Sequence, residues 1–338
     1  MAGFDLIRGQ HHAIGLLTTL LRKGRLPHAL VFTGIDGIGK QTAARALAMA
    51  CNCTDPQPYP EGPEEAPWPS RINACGLCRS CRRIQSDQHP DILHLRPSGD
   101  MIRIAVVRDL IQRLAVKPYE QGRRVVILAE AHTMNPEAGN ALLKLLEEPP
   151  PNTLLILTAR QLADLLPTIA SRCQQIRFAP LQREDLTALL TTEGQLTPQA
   201  AEAAAALSGG SYSRALKMAG EDWIPRRQWL AGELVRLRDQ TTTLHLALAE
   251  NLASGKTQLP DILAWLLSWY RDLIVFPFQP DRIVNRDLDR QIRVVAARQA
   301  PLASIDCMKA VQAALKALQD NANPRLTMET LVLQLAAA

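Results

Sequence analysis

A glycine-rich segment near the N-terminus, HALVFTGIDGIGKQT, contains residue types that hold phosphate groups. An apolar run, predicted to be a buried strand, leads into a loop with Gly34, Gly37 and Gly39, followed by Lys40. Glycines let the backbone curl around an anion, the helix that follows presents unpaired N–H groups, and a lysine adds positive charge. Because the spacing fits G-x-x-x-x-G-K, we predict a P-loop able to hold phosphate or a nucleotide.

Two positions that organise magnesium in P-loop enzymes carry other side chains in this sequence. Gln41 follows Lys40, where a serine or threonine hydroxyl is the usual Mg²⁺ ligand. Thr42 cannot replace that hydroxyl, because successive helical residues point about 100° apart. After the apolar run VVIL, Ala129 stands where an aspartate completes the magnesium shell, and Glu130 follows it. The sequence therefore predicts a phosphate loop that does not hydrolyse ATP.

Cysteines recur at three-residue spacing in ACGLCRSC, at Cys75, Cys78 and Cys81. Overlapping C-x-x-C pairs curl the backbone so that several thiolates converge on one tetrahedral ion, and zinc is the metal favoured by such ligands. Either Cys51 or Cys53 could supply the fourth thiolate, and we favour Cys53 because it lies beyond the end of the predicted helix. Four thiolates leave no open coordination position, so the zinc would be structural. The alternative is a chance cluster of buried or free thiols.

The elements that must position these groups belong to a chain of 338 residues, enough for two or three domains. Short β-branched runs such as VVIL predict buried parallel strands. Abundant leucine and alanine, with few aromatic residues, favour helices over an all-β architecture. From Trp223 onward, apolar helical patterns follow one another without a catalytic cluster. In the last of them Asn323 is predicted to cap a helix that has Pro324 in its first turn.

Composition and charge narrow the possible environments. The segment MAGFDLIRGQHH lacks the apolar core of a secretory signal. The most apolar stretch, from Ile262 to Phe278, is interrupted by Arg271 and Asp272, too soon for a membrane span. The net charge of +5 permits contact with nucleic acid without requiring it. We therefore expect a cytoplasmic protein with no membrane partner. Its seven cysteines are expected to be metal ligands or buried thiols rather than disulfides.

Four motifs occur in an order that resembles the clamp-loader subunits of bacterial DNA polymerase III, which belong to the AAA+ class. They are GIDGIGK, ACGLCRSC, NALLKLLEEPP and the triplet Ser171-Arg172-Cys173. The resemblance continues more faintly in WYRDLIV and NANPRLTMETL. It implies an α/β plus all-α fold: a doubly wound parallel sheet over residues 1–180 with a zinc-binding insertion at about 51–85, a small helical lid over 181–220, and a helical collar for oligomerisation over 221–338.

The same resemblance implies a place in an open ring of subunits that loads the sliding clamp on primed DNA. The implied partners are tau/gamma motor subunits, the delta subunit, the clamp and the primer–template DNA. It also implies that Arg172 acts in trans as an arginine finger on ATP bound by a neighbouring motor subunit, a role that suits the planar guanidinium. In GGSYSRALKM, Ser213 stands where hydrolysing relatives carry a phosphate-sensing arginine. The expected function is a non-hydrolysing stator within the DNA-directed DNA polymerase holoenzyme.

Two other functions stay open at this level. One is an active, ATP-hydrolysing motor subunit of the tau/gamma type in the same loader, against which Gln41 and Ala129 argue. The other is a stand-alone zinc-containing DNA-binding protein. The basic residues Arg79, Arg82 and Arg83 are typical of a solvated rim around a metal site, and contact with DNA or a partner is their alternative role.

Overall fold

The computed structural model describes residues 3–59, 71–97, 99, 101–120, 122–220, 223–254 and 259–338. Part of the predicted cysteine module, residues 60–70, lies outside the described residues. The chain divides into two compact units, Met1–Leu189 with Gly210–Arg214, and Leu190–Gly209 with Ala215–Ala338. Because the boundaries fall inside the segment 181–220, the separate lid stays a prediction.

A parallel sheet lies at the centre of the first unit. Its strands within the described residues are β1 (Ala29–Thr33), β4 (Ile92–Leu95), β5 (Arg124–Leu128), β6 (Thr153–Ala159) and β7 (Gln174–Arg177), in the order β4-β5-β6-β1-β7. Every residue of β1, β5 and β6 is buried, as expected of strands covered on both faces. Two short strands, β2 (Gln57–Tyr59) and β3 (Arg71–Asn73), pair antiparallel in the insertion after β1.

Helices cover both faces of this sheet. One face packs with α1 (His11–Arg22), α2 (Lys40–Asn52) and α3 (Arg79–Gln85), and the other with α4 (Ile104–Ala115), α5 (Pro136–Glu147) and α6 (Pro167–Ala170). Successive strand residues point to opposite faces, so Leu30 and Phe32 belong to the first core while Val31 belongs to the second. The doubly wound α/β fold implied by the family resemblance is confirmed.

Helices build the second unit. They include α8 (Pro198–Leu207), α10 (Trp223–Arg236), α11 (Thr242–Ser254), α12 (Leu259–Val275), α13 (Asp289–Ala296), α14 (Pro301–Gln319) and α15 (Pro324–Ala337), while α7 (Arg183–Thr192) and α9 (Tyr212–Met218) cross the unit boundaries. Trp265 and Trp269 lie in its core with ring centroids 5.7 Å apart. The Asn323 side chain accepts the N–H groups of Arg325 and Leu326, so the predicted cap is confirmed. Over the described part of the chain, no helix combines the length and the apolar character that a membrane span needs.

A buried polar network fixes one face of α12. Asp272, which is fully buried, accepts the backbone N–H groups of Val284 at 2.9 Å and Asn285 at 2.8 Å. It also accepts the Asn285 side-chain amide and an Arg271 guanidinium N–H, each at 2.8 Å. The side-chain oxygen of Asn285, Oδ1, in turn accepts the Trp265 indole N–H at 3.0 Å. The carboxylate that interrupts the apolar sequence is therefore a hydrogen-bonded anchor inside the helical core.

Candidate functional sites: phosphate loop, cysteine cluster and Arg172

The predicted phosphate loop joins β1 to α2. Gly34, Gly37 and Gly39 have φ values of 146°, 77° and 96°, a region that side-chain-bearing residues rarely adopt. A Cβ atom on Gly34 would lie 2.6 Å from the Phe178 carbonyl oxygen, so the loop also needs glycine for close packing. The sequence therefore folds into the strand, loop and helix of a P-loop, with Lys40 as the first residue of α2.

The side chain of Lys40 folds back onto this loop. Its ammonium group donates to the carbonyl oxygens of Gly34 and Ile35, the latter at 2.7 Å, and lies 3.7 Å from a carboxylate oxygen of Asp36. Burial lowers the pKa of Lys40, and Asp36 opposes this effect. An ammonium group has three N–H donors, and two of them are engaged by these loop carbonyl oxygens.

The loop is also held from two other segments of the first unit. Just beyond β6, the Arg160 guanidinium donates to the Asp36 carboxylate at 2.7 Å. The Ser211 hydroxyl donates to the Asp36 carbonyl oxygen at 2.7 Å, and the Tyr212 N–H donates to the Gly37 carbonyl oxygen at 2.9 Å. A Cβ atom on Gly37 would come within 2.5 Å of the Ser211 hydroxyl oxygen. The part of GGSYSRALKM that belongs to the first unit, Gly210–Arg214, thus packs directly on the phosphate loop.

Gln41 lies in the first turn of α2, and Ala129 directly follows β5. Gln41 and Thr42 are exposed on the first turn of α2. Ala129 follows β5 and is buried, and Glu130 after it has a left-handed backbone with its N–H donated to the Thr158 hydroxyl at 3.0 Å. An alanine side chain has no oxygen, so position 129 does not supply the carboxylate that helps to hold Mg²⁺ in P-loop enzymes.

Four cysteines, one from the start of the insertion and three from near its end, come together. The sulfur atoms of Cys53, Cys75, Cys78 and Cys81 all lie within 4.8 Å of one another. Helix α2 ends at Asn52, so Cys53 follows in an extended conformation and its side chain turns toward the others. The structure brings Cys53, and not Cys51, to the cluster.

Backbone N–H groups point at three of these sulfur atoms. Cys75 N donates to Cys53 Sγ and Cys78 N to Cys75 Sγ, both at 3.3 Å, and Cys81 N donates to Cys78 Sγ at 3.4 Å. Burial raises the pKa of Cys53 and of Cys81. Burial acts in the same direction on Cys78, but hydrogen bonds from the Cys81 backbone and from Thr54 outweigh it and lower its pKa to about 6. Hydrogen bonds thus favour the thiolate form of Cys78, while burial favours the thiol form of Cys53 and Cys81.

This donor set fits zinc. A tetrahedral ion with Zn–S bonds of about 2.3 Å places its sulfur ligands about 3.8 Å apart, which small side-chain rotations reach from the separations observed. A divalent cation would compensate the thiolate charges that burial otherwise disfavours. Cys81 is fully buried, so such an ion would tie α3 to the core of the first unit.

Arg172 lies between α6 and β7, where the chain leaves a short helix. Its guanidinium donates to a Glu147 carboxylate oxygen at 2.7 Å and to the Thr168 carbonyl oxygen at 3.0 Å. The Ser171 hydroxyl oxygen lies 3.4 Å from the same group. The Arg172 side chain is 37% exposed, so its guanidinium is oriented by its own chain and accessible from outside.

A serine–histidine pair beside the cysteine module is not arranged to activate the serine as a nucleophile. His89 Nδ1 accepts the Asp91 N–H at 3.2 Å, so the ring proton of a neutral imidazole lies on Nε2. That nitrogen is 3.0 Å from the Ser80 hydroxyl and 3.2 Å from a Glu120 carboxylate oxygen, so it donates to them. Burial lowers the pKa of His89 and favours this neutral form. His89 therefore cannot act as the base that would activate Ser80.

Comparison with known proteins identifies the family. The family described as "DNA polymerase III, delta subunit" matches residues 9–182, and its C-terminal counterpart, "DNA polymerase III, delta subunit, C terminal", matches residues 221–337. DNA polymerase III subunit delta' of Bacillus subtilis is 30% identical over 331 residues, which cover 96% of each chain. This chain belongs to the DNA polymerase III delta-prime family.

Other relatives agree with this membership. DNA polymerase III subunit delta' of Pseudomonas aeruginosa is 33% identical over 258 residues, or 75% of this chain and 74% of that protein. DNA polymerase III subunit gamma/tau of Mycobacterium bovis is 27% identical over 368 residues, or 99% of this chain and 61% of that protein. The resemblance noted from four short motifs is thus confirmed along most of the sequence.

Several residues around the sites of this delta-prime family member escape motif analysis. Asp36 is a charged residue inside the loop motif, and this feature of the sequence could have identified it. Arg160 and Ser211 lie 124 and 175 positions from Asp36, so no local pattern links them. Glu147 belongs to the helix motif NALLKLLEEPP, which by periodicity alone is core packing. Its partner Arg172 becomes evident only in three dimensions.

Proposed function

We propose that this chain is a clamp-loader subunit of DNA polymerase III that does not hydrolyse ATP itself. It acts as a stator that helps load the sliding clamp on primed DNA in the cytoplasm. Its partners are tau/gamma motor subunits and the delta subunit, and through them the clamp and the primer–template DNA. Arg172 serves as an arginine finger for ATP bound by an adjacent motor subunit.

The observation that carries this proposal is the state of the phosphate loop. Its backbone keeps the glycine-dependent wrap, while Lys40 is engaged by the carbonyl oxygens of Gly34 and Ile35. Gln41 and Ala129 supply neither the hydroxyl nor the carboxylate that organises Mg²⁺ in P-loop enzymes. Phosphoryl transfer depends on positioning and on electrostatic stabilisation by the metal and cations. A loop without these contributions is suited to a structural task.

The arginine is proposed to act on a neighbour because its surroundings leave it accessible. Arg172 is partly exposed, and the contacts that orient it come from its own chain, one from Thr168 and one from Glu147 at the end of α5. A guanidinium can neutralise charge that spreads over the oxygens of a transferring phosphoryl group. The helices of the second unit would form the collar that holds the ring together, and a structural zinc ion on Cys53, Cys75, Cys78 and Cys81 would stabilise the insertion.

Two measurements test the proposal. The isolated chain should show no magnesium-dependent ATP hydrolysis above that of its Lys40→Ala variant, and hydrolysis that Lys40→Ala abolishes would contradict the proposal.

For the arginine, the loader is reconstituted with motor subunits in which the arginine equivalent to Arg172 is replaced by alanine. Only the ATP site facing this chain then receives an arginine. Arg172→Ala should lower the remaining clamp- and DNA-stimulated kcat by roughly 10³-fold, and unchanged turnover would refute the role.

A second candidate is an active motor subunit, because the gamma/tau relative aligns with nearly the whole chain. It predicts Lys40-dependent hydrolysis by the isolated chain, so the first measurement separates the two functions.

A further inference from the structure

We infer that Glu147 is a positioning residue for Arg172, a role that rests on the proposed trans action of that arginine. The carboxylate of Glu147 lies 2.7 Å from Arg172 Nη2, although 25 positions separate the two residues. Glu147 would hold the guanidinium in the orientation in which it meets the phosphate of a neighbouring ATP.

The backbone of each partner is fixed before the ion pair forms. Glu147 is the last residue of α5, which ends before the prolines that begin at Pro149. Arg172 follows α6, and its N–H donates to the Ile169 carbonyl oxygen at 3.1 Å. The two helices pack against each other where Leu166 and Ile169 approach Gly139 of α5. Helix packing therefore sets the separation that the two side chains bridge.

The contacts leave donors for a phosphate group. A guanidinium has five N–H groups in a planar fork. The contacts with Glu147, Thr168 and Ser171 use at most three of them, so at least two remain directed elsewhere. Glu147 need not release Arg172 when the arginine engages phosphate oxygens. The carboxylate would fix the orientation of the guanidinium, as carboxylates fix the orientation of metal-bound histidines.

Orientation in advance has a kinetic consequence. A free arginine side chain samples many rotamers, and ordering it during the reaction adds to the barrier. With Glu147 and Thr168 holding the guanidinium, that ordering precedes ATP binding. Since Glu147 is itself 51% exposed, the ion pair is too weakly shielded to be a major contribution to folding stability. Loss of Glu147 should therefore affect the turnover number far more than the stability of the chain.

The test uses the reconstituted loader with alanine-substituted motor arginines, containing the full chain. Glu147→Ala should lower the clamp- and DNA-stimulated kcat by about tenfold with little change in the KM for ATP. Glu147→Gln keeps an oxygen acceptor without the charge, so its kcat should fall less than that of Glu147→Ala. Glu148→Ala removes the neighbouring exposed carboxylate and should behave as wild type, which controls for surface charge. Thermal unfolding and the mass of the assembled complex check that each variant folds and assembles.

A double-mutant comparison separates positioning from an indirect effect. In an Arg172→Ala background, Glu147→Ala should cause no further loss, because there is no guanidinium left to orient. Wild-type turnover in Glu147→Ala, or the same fold-loss with and without Arg172, would overturn the role of Glu147 while the arginine finger stands. Unchanged turnover in Arg172→Ala alone would overturn the proposed function, and the role of Glu147 with it.

Discussion

Replacing single cysteines tests which thiolates form the metal site. Cys53 and Cys51 are two positions apart, yet only the sulfur of Cys53 lies with those of Cys75, Cys78 and Cys81. The Cys51 thiol contacts Arg123 instead, and burial raises its pKa to about 11, so it is a neutral side chain at physiological pH. Cys53→Ser should therefore weaken zinc binding, and Cys51→Ser is its matched control.

The size of the effect follows from the number of ligands. Structural zinc sites bind with roughly 10–16 kcal/mol at neutral pH, so one of four thiolates contributes roughly 3–4 kcal/mol. That corresponds to a loss of roughly two to three orders of magnitude in zinc affinity. The N–H group of Cys75, which donates to Cys53 Sγ at 3.3 Å, would lose its thiolate acceptor as well.

The assay is zinc content after dialysis against a chelator of intermediate strength, read by elemental mass spectrometry. Wild type and Cys51→Ser should retain about one zinc per chain, and Cys53→Ser should lose most of it. Hydrogen exchange should show faster opening of α3 in the depleted protein, because Cys81 and Ile84 attach this helix to the core. Zinc retained by Cys53→Ser and lost by Cys51→Ser would refute the assignment. A wild-type protein without zinc would refute the metal site as a whole.

Three further outcomes are expected. Zinc added to metal-free protein at pH 7 should release at least two protons to a weak buffer, because burial raises the pKa of Cys53 and Cys81 and both must ionise to bind; no proton release would contradict this. Asp272→Asn should lower the free energy of unfolding of the second unit by roughly 2–3 kcal/mol, because buried N–H groups lose a charged acceptor. Urea titration followed by tryptophan fluorescence measures it. Asp306→Asn, which removes an exposed carboxylate paired with the exposed Lys309, should change it by less than about 0.5 kcal/mol, and equal effects would contradict the reasoning. Burial lowers the pKa of His89 and His94 in the folded state, so the unfolded chain binds protons first and stability should fall as pH drops below about 6.5. Replacing both by glutamine should flatten that dependence in chemical unfolding at pH 5 to 7, and an unchanged slope would contradict it.

The parts of the fold that could be predicted from the sequence are those that depend on neighbouring residues. The strand VVIL is buried and parallel as predicted, because a run of branched apolar residues is stable only where both faces are covered. The cap at Asn323 also follows from its neighbours alone, since the side chain bonds the N–H groups of the next turn. The boundaries of the predicted lid do not follow in this way, because the contacts of residues 181–220 with distant segments determine which unit they join.

By itself, the sequence determined the features that depend on residues close together along the chain. Glycine spacing produces the phosphate loop, because only glycine adopts the positive φ values at Gly34, Gly37 and Gly39 without strain. Three-residue cysteine spacing likewise brings Cys75, Cys78 and Cys81 around one point.

Tertiary structure alone decided how those features are completed. It brings the sulfur of Cys53, which the sequence only favoured over that of Cys51, within 4.8 Å of the other three. It engages Lys40 with loop carbonyl oxygens. It also joins Glu147 to Arg172 through the packing of two helices. These contacts depend on the positions of whole elements, which burial of the common core fixes and no local pattern encodes.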